Sequence, residues 1–301
     1  TVTKKGGKIS GFVCRQYGNC TLTNCLYLGT NNANNNENYT FAGDNTEVNN
    51  CYYLNACGKA QGTQITDEQL KNGAVAYMLQ ARRNQMVWGQ TIGTDAQPQF
   101  TTDATKRVYE VKFTYNGKEV ATRYANKDGK VILPTTKDIV GESYNPHHYY
   151  ALTFGGGFSA STTITEDRQV AVTLDHKEYY EIKNKDDWKA FCDIVGSGQN
   201  AVDAKMTKDV DLGEEIVMAG TAAPSYYNFL YYTGTFDGQG HTLKFNWNAG
   251  EKNYIAPFWC VKDATIKNLR TQGKITTKGY GLSGMVRIAL GTTTISGCIS
   301  D

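Results

Sequence analysis

The stretch that decides the fold is Ser283–Cys298, "SGMVRIALGTTTISGC", a run of small, apolar and β-branched residues. A stretch with the same pattern, Ser10–Cys25, "SGFVCRQYGNCTLTNC", lies near the other end of the sequence. Aligned without a gap, the two stretches share Ser, Gly, Val, Gly, Thr and Cys at equivalent positions. Self-similarity of this kind is the signature of a repeat architecture. We therefore expect both ends of the chain to be built from the same structural unit.

Shorter repeats extend inward from both stretches. "TLTNCLYLG" (Thr21–Gly29) returns 26 residues later as "EVNNCYYLN" (Glu47–Asn55). In the last third of the chain, "HTLKF", "ATIKNL" and "TTISGC" each centre on a Thr-Leu or Thr-Ile pair that begins at Thr242, Thr265 and Thr294. Strands that recur about every 20–30 residues, with apolar residues at alternate positions, indicate a solenoid whose coils stack strand upon strand.

Two segments have helical patterns beside these predicted coils. Thr66–Arg82 begins with a capping box, because Gln69 follows Thr66 by three residues. The second helix is predicted to begin after the N-cap Asn184 and to stop at Gly196. We expect both helices to cap the solenoid and to protect its open edges from aggregation.

Residues 105–180 have a different pattern, typical of a small β module. Arg107–Ala125 alternates apolar and polar residues around Asn116–Gly117, the dipeptide most typical of a tight hairpin turn. Further strand patterns follow in the same region. The sequence therefore predicts an antiparallel β sandwich or β-grasp module of a size that folds alone.

The composition excludes several functional classes. With 40% hydrophobic and 20% charged residues, the chain is typical of a soluble globular protein. The net charge is +2 and Lys and Arg are scattered, so nucleic acid is not an expected partner. No apolar run approaches the about 18 residues that span a bilayer. Because the sequence begins at Thr1 and not at Met, we expect a processed chain or a piece of a longer one.

The cysteine spacing argues against a metal centre. The cysteines of the first sixty residues form no Cys-x-x-Cys pair and have no neighbouring His. Cys25, Cys51 and Cys298 recur at equivalent repeat positions, which favours inward-facing core thiols. Local disulfides, Cys14–Cys20 or Cys51–Cys57, are the alternative in an exported protein, and the sequence alone does not fix the pairing.

Gly234–Asp301, with "TGTFDGQGHTLKF" and "ATIKNLRTQGKITT", resembles the GLUG-type repeat proteins, which are bacterial surface proteins. "DWKAF" and "DVDLG" before it look like the helix and first coil of such arrays, and "NCYYLN" with "VWGQTIGTD" looks like their closing segment. Residues 105–180 are similar to the internalin-type B repeats found between such units.

The resemblance implies a mainly β fold, with right-handed parallel β-helix segments at both ends flanking the small β module and short capping helices. The predicted divisions are 1–104 (closing coils and a capping helix), 105–180 (the β module) and 181–301 (a capping helix and opening coils). The resemblance also implies a non-enzymatic, adhesin-like or structural role, extracellular or at the cell surface. We expect neither a cofactor nor a metal. The expected partner is a surface glycan or a host or matrix protein.

One short segment concentrates aromatic residues that suit a binding surface. Within "SYYNFLYYTG" (Ser225–Gly234), alternation lets only half of the rings face one core, so we expect others to be exposed. Aromatic rings stack on sugars and anchor protein interfaces. The alternative is a strand buried on both faces. The candidate ligand-binding residues are Tyr226, Tyr227, Phe229, Tyr231 and Tyr232.

The alternative function is a carbohydrate-active β-helix enzyme, a polysaccharide lyase or hydrolase. Asp209 and Asp211 share one face of a predicted strand and Asp237 lies on a later coil, so together they offer the carboxylate pair that glycoside hydrolysis uses. The structural interpretation, which we favour, is that all three make side-chain hydrogen bonds in turns. His147 and His148 are adjacent in sequence and are poor joint metal ligands for that reason.

The two ends of the chain are complementary in this interpretation. Residues 1–62 look like the closing coils of an array, and residues 185–301 look like its opening coils. A bare coil leaves strand edges and apolar side chains unpaired. We therefore expect the coil ends to stack on each other, within one molecule or head to tail between molecules.

Overall fold

The computed structural model describes residues 9–14, 18–30, 38–43, 46–81, 83–222 and 229–301. The chain is mainly β with several parallel sheets, which confirms the predicted fold class at this level. It divides into two compact units. The first comprises Thr1–Ile139 and Phe154–Thr173, and the second Val140–Thr153 and Leu174–Asp301. The three-part division of the sequence stays a prediction.

The first part of the chain has short strands and two short helices. The strands are β1 (Cys20–Thr23), β2 (Leu26–Tyr27), β3 (Thr46–Asn49), β4 (Tyr52–Tyr53), β5 (Thr63–Gln64), β6 (Trp88–Gly89), β7 (Gln99–Phe100), β8 (Val108–Tyr115) and β9 (Lys118–Asn126). The helices are α1 (Asp67–Lys71) and α2 (Ala74–Gln80). Strands β1 and β3 pair in parallel, as do β2, β4 and β5.

The predicted repeat sets the register of these parallel pairs. Leu22 lies opposite Val48 and Leu26 lies opposite Tyr52, so both pairs keep the 26-residue offset that the sequence predicted. The structure therefore confirms the predicted register. Its physical cause is that the apolar positions of the two repeats coincide only at this offset.

The later part of the chain is richer in parallel strands. A helix α3 (Thr136–Val140), strands β10 (Tyr149–Phe154) and β11 (Arg168–Lys177), and helix α4 (Lys185–Gly196) lie among them. The other strands are β12 (Tyr180–Ile182), β13 (Ala204–Met206), β14 (Val210–Asp211), β15 (Thr221–Ala222), β16 (Phe229–Leu230), β17 (Thr235–Asp237), β18 (Thr242–Gly250), β19 (Phe258–Lys262), β20 (Thr265–Lys267), β21 (Arg270–Thr277), β22 (Val286–Leu290), β23 (Thr294–Ser296) and β24 (Ile299–Ser300). Single-turn 3₁₀ helices lie at Ala104–Lys106, Gly141–Ser143 and Gly155–Gly157.

Three parallel sheets run through the second unit, in the orders β12-β13-β17-β20-β23, β14-β18-β21-β24 and β19-β22. Thr265 pairs with Thr294, as the repeat of Thr-Ile pairs predicted. The prediction for Thr242 is wrong, because Thr242 pairs with Arg270 in the second sheet and Thr235 is the partner of Thr265. The reason is that the "DGQG" turn separates β17 from β18, and the Thr-Leu pair lies after this turn.

Left-handed residues turn the chain from one parallel sheet into the next. Asn24 and Asn50 have φ values of 55° and 49° between β1 and β2 and between β3 and β4. Asn268 and Gly297 have φ values of 52° and 61° between β20 and β21 and between β23 and β24. Asparagine tolerates this conformation better than other residues with a side chain. The Asn50 amide donates a hydrogen bond to Asn24 Oδ1, which ties successive turns together.

The core of the second unit is aromatic and is covered by α4. Asn184 caps this helix by accepting a hydrogen bond from the Asp187 N–H, as predicted. Trp188, Phe191 and Val195 are completely buried in the core cluster. Their burial follows from the spacing of apolar residues along one helical face.

The predicted single helix over Thr66–Arg82 is instead two short helices. The Thr66–Gln69 capping box is present at its start. The break falls at Gly73, whose φ of 95° lies outside helical values, and a Cβ there would lie 2.7 Å from the Ile92 side chain. A residue with a side chain would therefore meet both backbone strain and a clash at this break.

The four-stranded sheet of the middle region has the order β10-β11-β8-β9. Strands β8 and β9 pair antiparallel around Asn116–Gly117, and both turn residues have positive φ, which confirms the hairpin. The expectation of a purely antiparallel module is wrong, because β11 pairs with β8 in parallel, with Val170 opposite Phe113. The chain between β9 and β11 is long enough to make this crossover, which sequence alternation does not reveal.

None of the eight cysteines, all of which lie in the described residues, is in a disulfide, so neither local disulfide is formed. Cys51 is buried in the first unit, while Cys25 and Cys298 are half-buried against their cores, as predicted for the repeated positions. Burial raises the pKa of the Cys51 thiol to about 11 and also raises the pKa of Cys260. Protonated, buried thiols behave as small apolar side chains.

Candidate ligand-binding groove

Tyr232 is not available to a ligand, which corrects the expectation for this residue. Its side chain is completely buried, and its hydroxyl donates a hydrogen bond to the Val202 carbonyl at 2.9 Å. Burial raises the pKa of the phenol well above its ordinary value. The ring contacts Phe191 and Phe258, with centroid distances of 5.3 and 6.1 Å. Tyr232 therefore serves the core, the alternative that the sequence left open.

The other four candidate aromatics are placed differently. Tyr231, which directly precedes Tyr232, is half-buried, and the Lys262 Nζ lies 5.1 Å from the centre of its ring. Phe229 lies in β16, and Tyr226 and Tyr227 are outside the described residues. The structure thus describes one partly exposed ring, that of Tyr231, in this segment.

We expect Tyr232→Phe to lower the free energy of unfolding by about 1–2 kcal/mol, because the buried Val202 carbonyl loses its hydrogen-bond donor. Urea unfolding measures the change. The matched control is Tyr231→Phe, which removes a hydroxyl from a half-buried ring and should change stability by less than about 0.5 kcal/mol. Equal effects of the two substitutions would contradict the assignment of Tyr232 to the core.

Two of the three candidate catalytic aspartates accept hydrogen bonds that shape turns. Asp209 Oδ1 accepts from the Thr242 N–H at 2.9 Å and lies 3.3 Å from His241 Nδ1. The Thr242 hydrogen bond, with the added effect of His241, holds the pKa of the Asp209 carboxyl below its ordinary value. Asp211 Oδ1 accepts from the Gly213 N–H at 2.8 Å. Both carboxylates therefore hold loop backbone in place.

Asp237 is engaged in the same way. Its Oδ1 accepts from the Gln239 N–H at 3.0 Å and from the Asn268 amide at 3.1 Å. Burial acts to raise the pKa of Asp237, but these hydrogen bonds and the Lys267 ammonium, 3.5 Å away, outweigh it and hold the pKa below its ordinary value. A glycosidase acid needs a raised pKa. The geometry therefore favours the structural interpretation of these aspartates.

The two adjacent histidines have separate partners. His147 Nδ1 lies 3.1 Å from Asp203 Oδ1, and His148 Nδ1 lies 2.9 Å from His176 Nε2. They do not converge on one point, as their adjacency predicted. Within the described ranges, no three His, Cys, Asp or Glu side chains come together in a way that could hold a metal ion.

The first unit contains an aromatic groove of about 430 Å³ that the sequence did not predict. Trp88 in β6 pairs with Phe100 in β7, and their ring centroids lie 4.2 Å apart. Trp88 is 8% exposed, whereas Phe100 is 77% exposed. Leu26 and Leu28 form apolar parts of the lining. A large exposed ring supported by a buried one is a preformed platform for stacking.

Buried glutamines fix the backbone around this platform. Gln80 Oε1 accepts from the N–H groups of Val87 and Trp88, both at 2.9 Å. Gln90 is completely buried, and its amide donates to the Leu70 carbonyl at 2.7 Å and to the Asp95 carbonyl at 3.0 Å. These bonds fix β6 and the first part of the β6–β7 connection, and the pairing of β6 with β7 then places Phe100 beside Trp88.

Polar side chains complete the lining of the groove. Gln97 and Gln99 are exposed and carry amide groups beside Phe100, and Asn24 and Arg83 also line the groove. Binding sites for small molecules combine apolar surface with a few polar groups that fix orientation. In the sequence, Trp88 stands within the segment "VWGQTIGTD", which gave no sign of a binding groove. The exposure of Phe100 has no signature in the local sequence.

Comparisons of this chain with known protein families, with curated proteins and with solved structures find no match. Among the helices of the described ranges, none has both the length and the apolar character that crossing a membrane requires.

Proposed function

We propose that this chain is a non-enzymatic, adhesin-like binding protein of the cell surface, and that its ligand is a glycan held in the aromatic groove. The observation that carries the proposal is the exposed Phe100 ring packed at a tilt against buried Trp88, in a groove that Gln97 and Gln99 also line. Sugar rings present C–H faces that pack on aromatic rings and hydroxyls that pair with amides. A volume of about 430 Å³ lies within the range of small-ligand sites.

We also propose that the parallel sheets belong to right-handed parallel β-helix coils, as the resemblance to GLUG-type repeat proteins implies. The proposal is supported by the regular offsets between paired strands, such as Thr235 with Thr265 and Thr265 with Thr294. It is further supported by the left-handed turns at Asn24, Asn50 and Asn268. The stacking of coil ends stays a prediction of the repeat pattern.

The test of glycan binding uses Phe100→Ala on an array of immobilised mannan, xylan, dextran, polygalacturonate and chondroitin sulfate, with collagen and fibronectin on the same array. We expect the chain to bind at least one polysaccharide and the substitution to weaken that binding about ten-fold or more, because one stacking ring is removed. Phe100 is mostly exposed, so the thermal unfolding midpoint should stay close to that of the unsubstituted chain.

The matched control is Ile132→Ala, which removes another exposed apolar side chain of the first unit, 82% exposed and outside the groove. It should leave binding unchanged. Binding to collagen or fibronectin alone, or equal binding by the Phe100 variant and the unsubstituted chain, would contradict the proposed function.

A further inference from the structure

A second cavity of about 390 Å³ adjoins the groove, because Arg83 lines both. Its other lining side chains include Tyr77, Asn84, Arg107 and Asp167. The groove is mainly apolar, whereas two arginines line this cavity. All of these residues belong to the first unit.

Arg83 has an unpaired donor in this position. Its backbone N–H donates to the Gln80 carbonyl at 3.2 Å, and its own carbonyl accepts from the Gln80 amide at 3.4 Å, so its backbone is fixed. Its Nε is buried and has no hydrogen-bond partner among the described residues. Buried polar groups are almost always paired, so the Arg83 guanidinium lacks, within the described residues, the internal hydrogen bond that such a group normally has.

Arg107 is also without an ion-pair partner in the described part of the chain. Its guanidinium lies over the ring of Tyr109, 5.6 Å from the centroid. By contrast, Arg123, Arg168 and Arg270 each lie within ion-pair distance of a carboxylate. The two arginines of the cavity thus differ from these three in having no described counter-charge.

The carboxylate of the cavity wall is already occupied. Asp167 Oδ1 accepts from the Glu110 N–H at 3.0 Å, and Oδ2 accepts from the Tyr77 hydroxyl at 3.0 Å. Two arginines therefore line the same cavity as one carboxylate whose two oxygens are both engaged. The wall carries net positive charge, which attracts an anionic ligand.

We infer that the groove and this cavity form one site for an acidic glycan, in which a sugar ring stacks on Phe100 while its carboxylate or sulfate binds Arg83 and Arg107. The inference rests on the proposed glycan-binding function. Guanidinium groups pair with planar or tetrahedral oxyanions through two parallel hydrogen bonds, which gives geometric selectivity as well as attraction. Because Arg83 lines both the groove and the cavity, a ligand that packs on Phe100 in the groove can also reach the positive charge of the cavity.

The test measures the affinity of the chain for polygalacturonate, chondroitin sulfate and neutral xylan by isothermal titration calorimetry. We expect tighter binding of the acidic polymers, and a loss of that preference when NaCl is raised from about 50 to 200 mM, because salt screens the attraction. Polygalacturonate carries carboxylates only, whereas chondroitin sulfate carries carboxylates and sulfates. Equal affinity for the two polymers would indicate that a sugar carboxylate is bound, and tighter binding of chondroitin sulfate would indicate a sulfate.

Substitutions assign the effect to the two arginines. Arg83→Gln and Arg107→Gln should each weaken the binding of the acidic polymers about ten-fold and the binding of neutral xylan by a clearly smaller factor. Arg83→Lys should retain part of the acidic preference because it keeps the charge. The matched control is Arg168→Gln, an arginine of the same unit that already has a carboxylate partner. Thermal unfolding of each variant verifies that it is folded.

The outcomes separate this inference from the proposed function. Binding of xylan and the acidic polymers with equal affinity, unaffected by Arg83→Gln, would overturn the acidic preference and leave glycan binding intact. No binding to any polysaccharide would overturn both.

Discussion

Replacing Gly273 with alanine is expected to lower the free energy of unfolding by about 3 kcal/mol or more. Gly273 lies in β21 opposite Phe245 of β18, in the parallel pairing of the second unit. Its φ is 152°, and a Cβ at this position would lie 1.8 Å from the Phe245 carbonyl oxygen. Backbone cannot yield as a flexible side chain does, so β18 and β21 would have to separate locally.

Urea unfolding followed by far-ultraviolet circular dichroism measures this change. The matched control is Gly196→Ala at the last residue of α4, where a Cβ would meet no atom within 4 Å. This control should be neutral or stabilising by no more than about 1 kcal/mol. Unfolding curves of the Gly273 variant and the unsubstituted chain that superimpose would show that the two strands are not paired in this register.

Trp188→Ala is expected to lower the free energy of unfolding by about 3–5 kcal/mol, the cost of removing a large ring from a closed core. Trp188 has no exposed surface, and its ring centroid lies 5.9 Å from that of Phe236 and 5.6 Å from that of Phe258. Because it joins α4 to the parallel strands, its loss should free the helix from the core. Helical circular dichroism at 222 nm during urea unfolding measures both effects.

A pair of conservative substitutions separates ring volume from hydrogen bonding. The Trp188 indole donates to the Val217 carbonyl at 3.0 Å, whereas the buried Trp247 indole has no acceptor among the described residues. Trp188→Phe should therefore cost about 1 kcal/mol more than Trp247→Phe. A Trp188→Ala variant as stable as the unsubstituted chain would contradict the role of α4 as a core element.

Much of the strand register could be predicted from the sequence, because a repeated apolar pattern allows only one offset. The 26-residue offset of Leu22 from Val48 is one such case, and the pairing of Thr265 with Thr294 is another. The helix at Asn184 was also predictable, since its cap and apolar face are local features. These features depend on residues near each other in sequence or on exact periodicity.

The errors arise where two different positions share one pattern. Thr242 precedes leucine as Thr265 precedes isoleucine, yet Thr242 begins a strand of a different sheet. The groove escaped prediction because Trp88 and Phe100 meet through the pairing of two two-residue strands, and buried Gln80 and Gln90 bind the backbone around the first of them. Which of two packed rings stays exposed depends on tertiary packing, and the residues next to them in sequence carry no information about it.

Two of the buried thiols can report on the opening of the structure. Cys51 in the first unit and Cys260 in the second are buried, and burial holds the pKa of each thiol above its ordinary value. An alkylating reagent needs an accessible thiolate, so it reaches either residue only after the surrounding structure has opened. Each unit therefore contains a buried thiol whose rate of alkylation depends on how often that unit opens. The labelling rates of Cys51 and Cys260 report the opening of the two units separately.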